Sequence, residues 1–128
     1  MTVGFHTVNL VNKWLNFIRG TTPTAPTAVY IQEHIGDPGA AGTANTGAVT
    51  TRQVATWAAP SGGAIALNGT LPAFAQTATE SISHISAWDA STAGNVLFTG
   101  ALASARAVQN GDTFTLNTCG VSITPLMA

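Results

Sequence analysis

The stretch SISHISAWDASTAGNVLFTGALASARAVQNGDTFTL, residues 81–116, decides the fold. Its first eight residues alternate small polar with larger apolar side chains, as expected of a half-buried strand. Ile82, His84 or Ile85, and Trp88 cannot all lie on one face, so the spacing predicts a bulge. Gly94-Asn95 then turns the chain into an apolar run at 96–100. Two further runs, 103–108 and 113–116, flank Asn110-Gly111, a dipeptide that reaches the positive φ values of a tight hairpin turn. The stretch therefore predicts antiparallel strands joined by turns.

The same pattern extends outward. Residues 27–34 read as a strand around Val29 and Ile31, and 36–47 as a long Gly/Ala/Thr loop opened by Gly-Asp-Pro-Gly at 36–39. Residues 48–57 are β-rich, with Val49, Val54 and Trp57. A turn at 60–63 leads to a short strand at 64–67. Residues 70–76 make another strand, interrupted by Pro72, and 120–124 close the series. Eight to nine short strands with regular turns predict a mainly β domain, an antiparallel β-sandwich or jelly-roll-like fold over residues 27–124. Helices between the strands are missing, which disfavours a parallel α/β sheet. The whole chain, 1–128, reads as a single domain.

One amphipathic helix precedes the strands, at residues 7–19. Val8, Val11, Leu15 and Ile18 recur at helical spacing, and Leu10, Trp14 and Phe17 widen the stripe. Asn9, Asn12, Lys13 and Asn16 fall opposite. Thr7 is the expected N-cap, Arg19 suits the negative end of the helix dipole, and Gly20 ends the helix. Pro23 and Pro26 make an extended linker to the first strand.

Charge excludes several functions. Asp, Glu, Lys and Arg together are 7% of the chain, the net charge is -1, and 45% of residues are hydrophobic. Neutralising phosphates needs clustered cations, so neither a nucleic-acid partner nor a polybasic membrane partner is expected. No apolar run reaches the roughly 18 residues of a membrane span. The first twenty residues do not read as a signal peptide, because Asn9, Asn12, Lys13 and Asn16 interrupt the apolar stretch. The single cysteine, Cys119, cannot form an internal disulfide and reads as a small buried hydrophobe. A neutral Thr/Ala/Gly exterior costs little to desolvate, which suits packing against other subunits.

No motif for chemistry stands out. His6, His34 and His84 have no metal-ligand spacing, and Glu33 and His34, as strand neighbours, point to opposite faces. A hydrolase triad could be assembled from Ser83 or Ser86, His34 or His84, and Asp37 or Asp89. No Gly-x-Ser-x-Gly elbow accompanies them. Glu33, Asp37, Glu80, Asp89 and Asp112 could in principle supply a glycosidase pair, but the turn aspartates more commonly cap their own backbone. The Gly-rich stretches do not open a helix and so are not phosphate cradles. Trp57, Trp88 or Tyr30 could stack on a sugar, though each lies in an apolar pattern that suits a core. No catalytic residue, metal ligand or cofactor is expected.

Four segments carry a resemblance: LVNKWLNFIRGTTPTAPTAVYIQEHIGDPGAAGTAN, RQVATWAAPSGGAIALNG, ISHISAWDASTAGNVLFTGAL and AVQNGDTFTL. Together they resemble small virion proteins of tailed phages, frequent in phages of actinobacteria and often described as tail-fibre or minor structural proteins. Some similar β-domains decorate capsids. The resemblance spans about residues 9–124. It is most specific in the Trp-Leu-Asn helix ending at Arg19-Gly20-Thr21, the turn from His34 to Gly39, and Trp88-Asp89-Ala90 before Gly94-Asn95. Ile35 stands where such proteins often have Thr.

The resemblance implies a non-enzymatic structural protein located in the virion and assembled in the host cytoplasm. The leading expectation is a capsid-surface decoration subunit that stabilises the shell. The alternatives are a minor tail or tail-fibre protein that contacts the host, and a carbohydrate-binding module. Expected partners are other virion proteins, either the major capsid protein or tail proteins, and further copies of the chain; a trimer would suit a local threefold axis. Expected interface residues are Val8, Val11, Trp14, Leu15 and Ile18 on the helix, with Asp37 and Pro38 in the turn. Loop 36–47 is expected to be the adaptable contact surface.

Overall fold

The computed structural model describes residues 3–124. Nine strands run through them: β1 (Gly4–Phe5), β2 (Val29–His34), β3 (Gln53–Ala55), β4 (Ala64–Ala66), β5 (Ala73–Ala75), β6 (Glu80–Trp88), β7 (Val96–Val108), β8 (Thr113–Thr115) and β9 (Gly120–Ser122). All pairings are antiparallel. Five strands form one sheet in the order β1-β7-β6-β2-β3, while β4 pairs with β9 and β5 with β8. The result is a mainly β, sandwich-like domain with one short helix before it.

The core forms where the large sheet meets the β5–β8 pair. Ile31, Ala55, Ile82, Ile85, Ala87 and Val108 come from the former, Phe74, Phe114 and Leu116 from the latter and its exit. Phe74 and Phe114 are cross-strand partners with ring centroids 6.1 Å apart. Burying a Phe or Ile side chain contributes about 1.5–3 kcal/mol, so this cluster is the main stabilising element.

The other face of the large sheet is also buried. Side chains alternate along β2, so Gln32 and His34 point away from Ile31, beside Ser86 and His84 of β6. Loop 35–47 lies over this face. Gly42, at φ +71°, approaches so closely that a Cβ there would sit 2.8 Å from Val96 Cγ2 and 3.0 Å from Trp88 Cζ2. Backbone bonds Ala44 N–H to Pro38 O and Ile35 N–H to Asn45 O close the loop on itself. The Arg52 guanidinium covers Trp88 from outside, 3.7 Å from the ring centroid.

The expected bulge is present and large. Register passes from Ile82↔Arg106 to His84↔Ala101, so Ser83 alone faces residues 102–105 of β7. A second shift occurs between Ala87 and Trp88. The 96–100 and 103–108 runs are therefore one long strand carrying an insertion, rather than two strands.

Three further local expectations differ from the structure. Asn110-Gly111 does not make a hairpin: Asp112 N–H bonds to Gln109 O in a turn, but β8 crosses to pair with β5. The pairing of β8 with β5, with Phe114 opposite Phe74 in the core, draws the chain away from the open edge of β7, so the turn becomes a corner between sheets. Within 48–57 only Gln53–Ala55 is strand, because only these residues find β2 as a neighbour. The N-terminal helix is a π-helical turn, Thr7–Val11, followed by α1 (Asn12–Ile18). Its N-cap is His6, whose Nδ1 accepts the Asn9 N–H at 3.2 Å, and not Thr7. Gly20, at φ +85°, ends α1: its N–H bonds to Phe17 O and Thr21 N–H to Asn16 O, a Schellman motif.

Candidate interaction surface

Neither the π-helical turn nor α1 contains a buried residue. Val8 is 65% exposed, Leu15 55%, Phe17 71% and Ile18 80%. Leu10, Val11 and Trp14 are half-buried. The segment is fastened at few points. The Trp14 ring meets Phe5 edge-on at 5.3 Å, and Phe5 meets Phe98 at 6.3 Å. Asn9 Nδ2 donates to Val96 O, and the His6 N–H donates to Leu97 O. Three of the five expected helix residues, Val8, Leu15 and Ile18, thus form an exposed apolar face with Phe17, while Val11 and Trp14 sit toward the domain.

The turn residues do not join that face. Pro38 is fully buried within the chain, so its ring is not available at the surface. Asp37 is half-buried, and its Oδ1 accepts the Gly39 N–H at 2.9 Å. The surrounding loop is fastened to the sheet rather than free to adapt.

A second surface has no counterpart in the sequence reading. A groove of about 1120 Å³ runs between β7 and residues 112–121, lined by Phe98, Leu102, Phe114, Leu116 and Cys119, with Arg106 and Asp112 also on its walls. It exists because β1 covers only Phe98 and Thr99 on the outer side of β7, while β8 pairs only with β5. The open sandwich edge thus lies between two partly unpaired strands, with mixed walls: Phe114 and Leu116 belong to the core beneath, and Ser104, Thr113 and Thr115 line it beside Arg106 and Asp112. Contact across separate chain segments leaves no local sequence signal for such a groove. Burial raises the pKa of the Cys119 thiol, keeping it protonated and unreactive at neutral pH.

Two serine–histidine pairs do form, and their surroundings give them structural work. His34 Nε2 lies 2.7 Å from Ser86 Oγ, and both residues are fully buried. His34 Nδ1 is 2.9 Å from the Ala44 carbonyl, which can only accept, so Nδ1 carries the proton and Nε2 accepts from Ser86. Trp88 Nε1 donates to the same Ser86 oxygen at 2.7 Å. Burial, foremost, lowers the His34 pKa, consistent with this neutral ring. Every polar atom of the Ser86–His34–Trp88 set is engaged, away from solvent and without a carboxylate. Ser83 and His84, 2.8 Å apart, are chain neighbours in the bulge.

The acidic candidates are likewise dispersed. Asp89 takes the Asn95 N–H and side-chain amide at 2.7 and 3.0 Å; burial pushes its pKa up, but these donors outweigh it and the net shift is downward. Gly94, at φ +72°, allows this clasp, since a Cβ there would lie 2.6 Å from Asp89 Oδ1. Among the described residues no group of three His, Cys, Asp or Glu side chains is placed to hold a metal ion. Trp88 is 6% exposed beneath Arg52, and Trp57 packs edge-on to Phe98 beside the core, so neither offers an open stacking face. Tyr30 is half-buried.

The burial of one acidic candidate, Glu33, was not foreseen from the sequence. Glu33 is fully buried on the core side of β2, where Gln76 Nε2 donates to both of its oxygens at 3.0 Å. Desolvation is the main reason its pKa rises to about 7. An acid in an apolar alternation, with no cation near it in sequence, was the available signal.

No curated protein matches the chain. No helix among the described residues is long and apolar enough to cross a membrane. Residues 6–124 match a family model described as podophage GP4 fiber I protein gp80, which supports the phage-virion part of the resemblance and carries no statement about an actinobacterial host. The exposed apolar helix face and the open sandwich edge are thus features of a virion structural protein: the chain belongs to the podophage fiber I protein gp80 family.

Proposed function

We propose that the chain is a non-enzymatic subunit of a phage tail fibre, held in the particle by apolar contacts rather than by ion pairs. The single observation that carries this is the helical segment, which bears Val8, Leu15, Phe17 and Ile18 on an exposed face while burying no residue of its own. Isolated helices this short are marginal in water, so a segment of this kind gains most of its order from packing. Further copies of the chain and other tail proteins are the proposed partners. The groove along β7 is the second contact surface.

The family supports a fibre more directly than a capsid-decoration subunit, for which the charge-poor exterior is the main argument. Immunogold labelling of intact particles tests the reading. Gold on a tail appendage is expected; gold spread over the head would overturn it in favour of decoration. Incorporation of Phe17→Ser/Ile18→Ser into particles tests the contact itself, with loss of incorporation expected from a variant that still folds.

A further inference from the structure

β2 carries a carboxylic acid into the middle of the sandwich. Glu33 is 0% exposed, between the five-stranded sheet and the β5–β8 side of the core. Among the described residues its one hydrogen-bonding side-chain partner is Gln76, just beyond β5, which is 3% exposed. Gln76 Nε2 faces both carboxylate oxygens, yet Gln76 Oε1 is buried with no partner. The charged neighbour is another acid: the position a Cβ would take at Gly47 lies 2.8 Å from Glu80 Oε1 and 3.6 Å from Glu33 Oε1. Glu80 itself accepts the Ala48 N–H on both oxygens. Gln76 and residues 47–48 add no charge, and His34 lies on the opposite face of the sheet. A buried anion with a like charge beside it and no cation is costly, and an orphaned buried acceptor is costly as well.

A single proton removes both costs. We propose that folded Glu33 is a neutral carboxylic acid that donates its proton to Gln76 Oε1 while Gln76 Nε2 donates back to the other Glu33 oxygen, making a proton-dependent clasp between β2 and the β5 side of the sandwich. Because Nε2 now faces both Glu33 oxygens and Oε1 neither, the ring forms by a partial rotation of the Gln76 carboxamide about its Cγ–Cδ bond, which sets Oε1 opposite one carboxyl oxygen and Nε2 opposite the other. When the proton leaves for solvent, Glu33 becomes an anion facing Glu80 and the clasp opens. Folded Glu33 titrates at about 7, against 4.5 for an ordinary Glu, so the folded chain holds a proton that the unfolded chain has released. The clasp's contribution is complete below about pH 4.5 and is lost as pH rises through about 7.

The test compares melting temperature against pH for the wild type and Glu33→Gln, which keeps an amide partner for Gln76 and cannot ionise. The difference isolates Glu33 from His34, whose lowered pKa acts in the opposite direction below about 6.5. Wild type is expected to lose on the order of 5–10 °C relative to Glu33→Gln between pH 5 and pH 8.5. Parallel profiles would overturn the proposal. Carbon-13 NMR of the Glu33 carboxyl in the wild-type protein decides independently if the variant does not fold: a midpoint near neutrality is expected, and one in the ordinary carboxylate range would overturn it. Calcium added at pH 8.5 should leave the melting temperature unchanged; a rise that disappears in Glu33→Gln would mean that a cation, not a proton, neutralises the site.

Discussion

The helical arm at residues 7–18 and the loop at 35–47 are of similar length and reach the same large sheet, yet they behave in opposite ways. The arm is rich in large apolar residues and buries none of them completely. The loop is made largely of Gly, Ala, Thr and Asn, and buries Pro38, Gly42 and Gly47. Apolar content fixes how much surface an element would gain by being covered; it does not say which molecule covers it. Small residues, in contrast, let backbone come within contact distance of Trp88 and Val96, where shape and hydrogen bonds do the holding. The loop belongs to the fold, whereas the arm is surplus to it.

Substitutions sharpen that contrast. The largest effect is expected in the loop: Gly42→Val adds a β-branched side chain at φ +71°, against Val96 and Trp88, and should cost about 3 kcal/mol or more by chemical denaturation. Next comes the loop's footing. Ser86→Ala removes the acceptor of Trp88 Nε1 and the donor to His34, leaving buried polar atoms unpaired for about 1–3 kcal/mol. Gly20→Ala, in the arm, strains the Schellman turn at φ +85° but meets no atoms within 4 Å, so about 1 kcal/mol is expected. The smallest effect falls on the most apolar residues: Phe17→Ser and Ile18→Ser should each change stability by no more than about 0.5 kcal/mol. A loss of several kcal/mol there would mean that the arm packs in its own domain after all.

Acid gives a further distinction. Neutral His34 holds Ala44 of the loop, and burial sets its pKa below the ordinary value. The unfolded chain therefore takes up a proton that the folded chain resists, and the His34 contribution is lost as pH falls from about 6.5 through its lower folded value. Amide exchange in 35–47, corrected for its intrinsic pH dependence, should speed up over that range, with no matching change in 7–18.

Much of the architecture was legible locally. Strand alternation, the turn residues and the Ile82-to-Trp88 bulge are short-range patterns, and each has a counterpart in the structure. What was not legible depends on residues distant in sequence. Asn110-Gly111 suits a hairpin, but Phe114 pairs with Phe74 of β5 in the core, which draws the chain into a corner. His6 displaces Thr7 as the cap because its backbone is tied to Leu97 and its ring reaches Asn9. Of the surface residues expected to make contacts, Val8, Leu15 and Ile18 are exposed; Pro38 is not, since loop closure buries it. The β7 groove and the Glu33–Gln76 contact are made by segments tens of residues apart, and no local period encodes them.

Hydrogen–deuterium exchange on the free subunit and on assembled particles tests the central claim most directly. If the arm is the surface that other subunits cover, exchange in residues 7–20 should be fast in the free protein and strongly slowed in the particle, while residues 35–47 stay equally protected in both. Equal exchange of residues 7–20 in the two states would contradict it.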